Sequence, residues 1–133
     1  MIEDSVLSVF IMPAILQRVG AHVFHDCWSD DMLSRLTEQS NNIDLVLINC
    51  PLPVMIDMDD ATQAIKAHIR QKNIPLVAIT ASDPQQLTPK LKALGFSGLI
   101  YKPIGLRTFP QKVLTILEGT PVWDTNDMPP ATT

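Results

Sequence analysis

Short, continuous apolar runs recur along the chain, separated by longer segments whose apolar residues have helical spacing. The runs are too short for helices and lack polar alternation, which is typical of strands buried on both faces of a sheet. They are Ala21–Phe24 (AHVF), Leu45–Ile48 (LVLI), Ile74–Thr80 (IPLVAIT) and Gly98–Tyr101 (GLIY). We expect each run to form one strand.

The segments between the runs predict helices. In one of them Asp83 is a capping residue before Pro84, and Gly95 is a C-terminal stop. The predicted helices are Asp30–Gln39, Asp59–Asn73, Ser82–Gly95 and Leu106–Gly119. Strands that alternate with helices predict an α/β fold, in which a parallel sheet carries helices on both faces through right-handed crossovers.

Length and composition predict one globular domain. The chain has 133 residues, of which 46% are hydrophobic and 18% charged, enough for a buried core. We place the domain at residues 1–118. Residues 119–133 are polar and rich in proline, so we expect a flexible tail or linker in which Trp123 is the one residue suited to docking.

Charge and targeting signals predict a soluble cytoplasmic protein. The net charge of −4 argues against a nucleic-acid or anionic membrane surface. The N-terminus has no basic region, and Pro13 and Arg18 interrupt its apolar residues, so we expect no signal peptide or membrane span. The thiols of Cys27 and Cys50 could pair, but we expect them to be reduced.

Chemical motifs of enzymes and metal sites are missing from the sequence. It has no Gly-rich phosphate loop, no Ser-His-Asp pattern and no suitably spaced pair of carboxylates. His22 and His25 would point to opposite faces of a strand, which places them poorly for sharing an ion. We therefore expect no enzymatic activity, no cofactor and no metal.

Three polar residues stand at the ends of predicted strands. They are Asn49, Thr80 and Lys102. In parallel α/β folds the ligand crevice lies at the carboxyl ends of the strands, so these side chains are expected to meet there.

The phrases that contain these residues resemble the receiver domain of two-component response regulators. DLVLINCPLP, from Asp44 to Pro53, is similar to the family pattern DLVLMDxxMP, and IPLVAITA is similar to IPIIALTA. Lys102 before Pro103 matches the Lys-Pro that ends the family's fifth strand. The resemblance extends from about Ile43 to Leu117. It implies a doubly wound, five-stranded parallel sheet with the strand order 2-1-3-4-5, the flavodoxin-like receiver fold.

Asn49 departs from the family pattern at its chemical centre. The resemblance implies that the phosphate-accepting Asp belongs at this position. An acyl phosphate forms on a carboxylate oxygen, and a neutral amide is a very poor nucleophile. Loss of the negative charge also weakens a Mg²⁺ site. The resemblance therefore implies a degenerate form, a pseudo-receiver.

The acidic pair that binds Mg²⁺ in receivers has two possible alignments. VLSVFIMP places Phe10 and Ile11 on the pair, whereas the rival alignment places Glu3 and Asp4 there. The first is favoured because it keeps a central strand and puts Pro13 at the start of a helix. The second gives a longer first helix but cuts the strand to two residues.

The family's switch residues are altered as well. Leu99 takes the position of the aromatic switch, and Tyr101 directly precedes Lys102. The loop LPVMID, Leu52 to Asp57, lacks the glycine of the family's MPxMDG. Coupling between Thr80 and an aromatic residue is therefore expected to be lost.

These observations predict a pseudo-receiver module of a two-component-type regulator or hybrid kinase, acting by phosphorylation-independent protein interaction or dimerisation. The resemblance implies an interaction face on the fourth helix, fifth strand and fifth helix. Its residues here are Lys90, Lys92, Tyr101, Arg107 and Lys112. Two alternatives stay open: a phosphorylatable receiver that uses a substitute acid such as Asp57, and a small flavodoxin-like enzyme or ligand-binding domain.

Overall fold

The computed structural model describes residues 13–24, 26, 30–39, 42–50, 57–68, 74–81, 83–102 and 104–125. Its helices are residues 13–17 (α1), Asp30–Gln39 (α2), Met58–His68 (α3), Pro84–Ala93 (α4) and Thr108–Leu117 (α5). Its strands are Val46–Cys50 (β1), Leu76–Thr80 (β2), Gly98–Tyr101 (β3) and Val122–Trp123 (β4).

In the described part of the chain, four parallel strands form one sheet in the order β1-β2-β3-β4. A helix lies between each strand and the next along the chain, as parallel crossovers require. The predicted α/β fold is therefore confirmed, and β1, β2 and β3 form where the apolar runs predicted them. The central strand that the favoured alignment keeps within VLSVFIMP, before Pro13, lies outside the described residues.

The strand predicted at Ala21–Phe24 does not form. Residues 21–24 are irregular, and the backbone of Asp26 forms an isolated β-bridge. The physical reason is burial: Phe24 is 45% exposed and His22 is also exposed, so this run is not enclosed on two faces.

The strands bury side chains on both faces of the sheet. On one face Ile48, Ala78 and Leu99 pack with residues of α2, α3 and α4. On the other face Leu47 and Ile79 pack with residues of α1 and α5, including Phe109 and Val113. Burial of each large apolar side chain stabilises the fold by about 1.5–3 kcal/mol. The two clusters explain why the strand sequences are continuously apolar.

Part of the segment predicted as a flexible tail is folded. Gly119, with φ of +100°, turns the chain at the end of α5, and β4 then pairs with β3. Val122 packs against the α1 and α5 side of the core, and Trp123 against the other side. Residues 119–125 therefore belong to the sheet region; residues 126–133 lie outside the described residues.

The helices in the described ranges are all too short or too polar to cross a membrane.

Candidate functional site

The carboxyl ends of β1, β2 and β3 bring three predicted site residues to one edge of the sheet. Asn49 pairs with Ile79 in the register, one residue before the end of each strand. Thr80 is the last residue of β2, and its carbonyl oxygen accepts a hydrogen bond from the backbone N–H of Lys102 at 2.7 Å. The backbones of the three residues therefore lie at the carboxyl ends of neighbouring strands.

Asn49 presents a buried acceptor at this edge. The residue is half-buried, and its Oδ1 atom is buried without a hydrogen-bond partner among the described residues. Leaving a buried polar atom unsatisfied costs about 1–3 kcal/mol, so such an atom needs a physical account. An amide oxygen can accept a hydrogen bond. It is a very poor nucleophile, so it does not accept a phosphoryl group as a carboxylate does.

Thr80 and Lys102 differ in their access to solvent. Thr80 is fully buried at 0% exposure, whereas Lys102 is half-buried. The Thr80 hydroxyl is therefore enclosed by protein, and only the Lys102 side chain lies close to solvent. Both residues make further interactions within the fold.

Leu99 is a core residue. It is 0% exposed and belongs to the cluster that faces α2, α3 and α4. In the sheet it lies between Ala78 of β2 and Trp123 of β4. Close packing on both sides therefore makes Leu99 part of the core of the sheet.

Asp57, the proposed substitute acid, caps a helix. Its Oδ1 accepts a hydrogen bond from the backbone N–H of Asp59 at 3.1 Å, and its carbonyl oxygen accepts one from Ala61 at 2.9 Å. Asp57 is exposed and precedes α3 directly. Its carboxylate therefore satisfies a backbone donor at the helix N-terminus, as capping residues do.

Both alignments of the acidic pair fall on residues that the structure does not describe. Phe10, Ile11, Glu3 and Asp4 all lie before residue 13. Each alignment places a helix over residues 13–17, which are helical, so α1 does not separate them. Within the described ranges, no three His, Cys, Asp or Glu side chains gather as a metal site would require.

The predicted interaction face is partly occupied by the chain itself. Lys90 and Arg107 are exposed. Lys92 Nζ lies 5.1 Å from the centroid of the Trp123 ring. The remaining two residues, Tyr101 and Lys112, both bond Asp124: the Tyr101 N–H donates to Asp124 Oδ2 at 2.9 Å, and Lys112 Nζ donates to the same oxygen at 2.7 Å.

Sequence reasoning missed Asp124. This residue is 3% exposed and is buried with a charged partner, yet its sequence context is the Pro-rich segment that predicted a loose tail. The sequence does contain an apolar, an aromatic and an acidic residue in a row, from Val122 to Asp124. This order is compatible with a short strand that ends at the acid.

A cavity of about 850 Å³ lies beside β1, bounded among the described residues by α2 and the chain after α1. Leu16, Leu36 and Leu47 line it with apolar surface. At its rim Arg35 Nη2 donates to Asp26 Oδ1 at 2.8 Å. The hydrogen bond to Asp26 raises the pKa of the Arg35 guanidinium, which stays protonated at any ordinary pH.

Comparisons with known proteins find a similar segment in a sensor protein. No protein-family model matches the chain. It is 26% identical over 127 residues to the aerobic respiration control sensor protein ArcB of Escherichia coli (strain K12), and ArcB of Shigella flexneri matches equally. The match covers 96% of this chain and 15% of ArcB, so the chain spans about a seventh of the length of these relatives.

Solved structures with the same fold are receiver domains and response regulators. The isolated receiver domain of RcsB from Salmonella enterica serovar Typhimurium has a TM-score of 0.68 at 15% identity, covering 92% of this chain and 88% of that one. The chemotaxis protein CheY4 of Vibrio cholerae has a TM-score of 0.64 at 21% identity, with coverages of 88% and 92%. A LuxR family DNA-binding response regulator from Silicibacter pomeroyi has a TM-score of 0.64 at 18% identity, with coverages of 96% and 95%. The chain therefore has the flavodoxin-like α/β fold of response-regulator receiver domains.

Proposed function

We propose that this domain is a receiver-like signalling module that does not accept phosphate. It acts by phosphorylation-independent protein interaction or dimerisation, in the cytoplasm, as part of a two-component-type regulator or hybrid kinase. The receiver fold supports the general class of function, and the similarity to a segment of the sensor protein ArcB supports the signalling context.

The observation that carries this proposal is the position and surroundings of Asn49. An amide stands at the end of β1, where the receiver pattern has a carboxylate, and its Oδ1 is buried without a hydrogen-bond partner among the described residues. Phosphoryl transfer to this position needs an anionic oxygen and a divalent cation beside it. Asn49 supplies neither the nucleophile nor the negative charge that holds the cation.

The role of Asp57 supports the same proposal. An acid that replaced the missing acceptor would need its oxygens directed at the crevice. The Asp57 carboxylate is instead engaged with the N-terminus of α3 through the backbone N–H of Asp59. Because this cap also stabilises the helix, moving the carboxylate toward β1 costs about 1 kcal/mol or more.

The interaction surface in this proposal is formed by α4, β3 and α5. Its basic residues include Lys90 and Arg107, which are exposed and suited to an acidic partner surface. Nothing in the proposed mechanism requires turnover or a bound cofactor. Occupancy of this surface then depends on the concentration of the partner and on its affinity rather than on phosphate.

The experiment that tests this proposal is a titration followed by amide NMR. Beryllofluoride with Mg²⁺ mimics a phosphoryl group only where a carboxylate oxygen can bind the beryllium. We expect the amide resonances of Asn49, Thr80 and Lys102 to stay unchanged in the native chain. Asn49→Asp is the matched variant, and shifts that appear only in this variant show that the acceptor alone is missing. Shifts of the same amides in the native chain would overturn the proposal.

A further inference from the structure

The outer edge of β3 carries a groove that is filled by the chain's own C-terminal residues. We call it the β3 groove and define it by Gly98, Leu99 and Tyr101 of β3, with Lys92 from α4 and Lys112 from α5. The occupant is Val122–Asp124, a three-residue segment. Each of its residues meets a different feature of the groove.

Gly98 forms the floor of the groove. A Cβ atom at this position would lie 2.6 Å from the carbonyl oxygen of Val122 and 3.1 Å from Cδ1 of Ile116. Real Cβ contacts essentially never come as close as the first of these distances. The missing side chain is therefore what lets the backbone of an added strand approach β3.

Asp124 is held as a continuation of the strand ladder. Its N–H donates to the carbonyl oxygen of Leu99 at 2.9 Å, and its Oδ2 accepts from the N–H of Tyr101 at 2.9 Å. The carboxylate thus takes the place of the next backbone carbonyl. Lys112 Nζ, 2.7 Å from the same oxygen, neutralises a carboxylate whose side chain is only 4% exposed. Two donors that converge on one oxygen select an acid at this position.

Trp123 is held by apolar contact and by charge. Its ring packs at the margin of the core cluster beside Leu99, and Lys92 Nζ lies 5.1 Å from the ring centroid. A cation over an aromatic ring at this distance is an attractive arrangement. The groove therefore matches an aromatic residue followed directly by an acid.

The occupant is short for a strand in a sheet. β4 has two residues and pairs with β3 among the described strands, and residues 118–121, which include the turn at Gly119, connect it to α5. If β4 leaves β3, the uncovered β3 edge becomes a template to which a longer extended segment can add as a strand.

We infer that the β3 groove is a binding site for an extended peptide segment of a protein partner, one that carries an aromatic residue followed by Asp or Glu, and that Val122–Asp124 occupies it as an intramolecular competitor. The inference rests on the proposed function, because it names the kind of partner that the interaction surface takes. In the β3 groove, Lys112 and the Tyr101 N–H donate hydrogen bonds to the acid. Lys92 places its charge over the aromatic ring.

The test uses the full chain and a fluorescein-labelled peptide of sequence TPVWDTN, which copies residues 120–126. Asp124→Ala weakens the chain's own segment and leaves the groove intact. We expect this variant to bind the peptide at least roughly tenfold more tightly than the native chain, whose tethered segment competes at a high effective concentration. Fluorescence anisotropy measures both affinities. A peptide in which Ala replaces the Asp is the matched control and is expected to lose binding.

Two further variants make the result specific. Trp123→Ala releases the same segment by removing its ring, so it carries the test if Asp124→Ala does not fold. Gly98→Ala, added to either variant, is expected to abolish peptide binding because its Cβ fills the groove. Equal affinity in native and released chains, or no binding to any of them, would overturn the inference. Dimers formed by the released chain, detected by light scattering, would also overturn it, because the occupant would then be a second copy.

The peptide assay needs neither phosphate nor Mg²⁺. If the peptide does not bind at the β3 groove, the proposal about Asn49 still stands. If the chain takes up phosphate at β1, the peptide result is still valid.

Discussion

Gly98→Ala is expected to destabilise the native chain. The same substitution is expected to stabilise a chain in which β4 has left β3. The new Cβ would sit 2.6 Å from the Val122 carbonyl oxygen, which is backbone and has little freedom to move, and 3.1 Å from the end of the Ile116 side chain, which can yield. Overpacking of this kind costs about 1–3 kcal/mol. Replacing Gly by Ala inside a strand gains about 0.5–1 kcal/mol from chain entropy. The expected net loss in the native background is therefore up to about 2.5 kcal/mol.

The same substitution in the Asp124→Ala background meets no Val122 oxygen once β4 has left β3. The entropy gain and the contact with the Ile116 side chain, which can yield, then remain, so Gly98→Ala is expected to raise the free energy of unfolding by about 0.5 kcal/mol. Urea unfolding at 25 °C of the native chain, both single variants and the double variant gives the interaction energy between the two positions. Hydrogen exchange at the Tyr101 amide reports directly whether Asp124 still accepts its hydrogen bond.

An effect of Gly98→Ala that has the same sign and size in both backgrounds would refute this reasoning. So would a Gly98→Ala variant that is more stable than the native chain while the Tyr101 amide keeps its protection, because the strand would then tolerate the Cβ atom.

Three other changes test separate parts of the structure. Lys112→Met leaves the Asp124 carboxylate buried with one backbone donor, and urea unfolding should show a loss of about 3 kcal/mol that Asp124→Leu in the same chain partly restores. Leu99→Ala opens a cavity at a position with 0% exposure, and the same assay should show a loss of about 2–5 kcal/mol, whereas a loss below 1 kcal/mol would contradict core placement. Asp57→Ala should lose about 1 kcal/mol as the cap of α3 while Asp57→Asn keeps most of it, and thermal unfolding of the pair would contradict the capping role if both variants behaved alike.

The sequence predicted the strands that are enclosed on two faces. In β2 every residue is buried, so its composition alone carries the signal of a central strand. The start of α4 was equally predictable, because the Asp83 side chain accepts from the Gln85 N–H at 3.0 Å and Pro84 follows it. Ala21–Phe24 has a similar composition, but a short apolar run does not indicate whether other elements will pack on both of its faces. In the structure this run is partly exposed.

Contacts between distant residues account for what sequence reasoning missed. β4 has only two residues, and its stability depends on an ion pair between Lys112 and Asp124 and on close approach at Gly98. Neither is visible in a local pattern. The placement of Asn49 and Thr80 at one sheet edge was predictable from where the apolar runs stop. The burial of the Asn49 Oδ1 atom was not, because it depends on how neighbouring elements pack around that edge.

The measurement that tests the central claim most directly is the intact mass of the native chain after incubation with Mg²⁺ and acetyl phosphate, beside Asn49→Asp and Asp57→Asn. We expect the native chain to keep its mass, because an amide at the end of β1 cannot form an acyl phosphate. A gain of one phosphoryl group by Asn49→Asp alone would show that the rest of the crevice is still competent. A native chain that gains one phosphoryl group, and loses this ability in Asp57→Asn, would contradict the account.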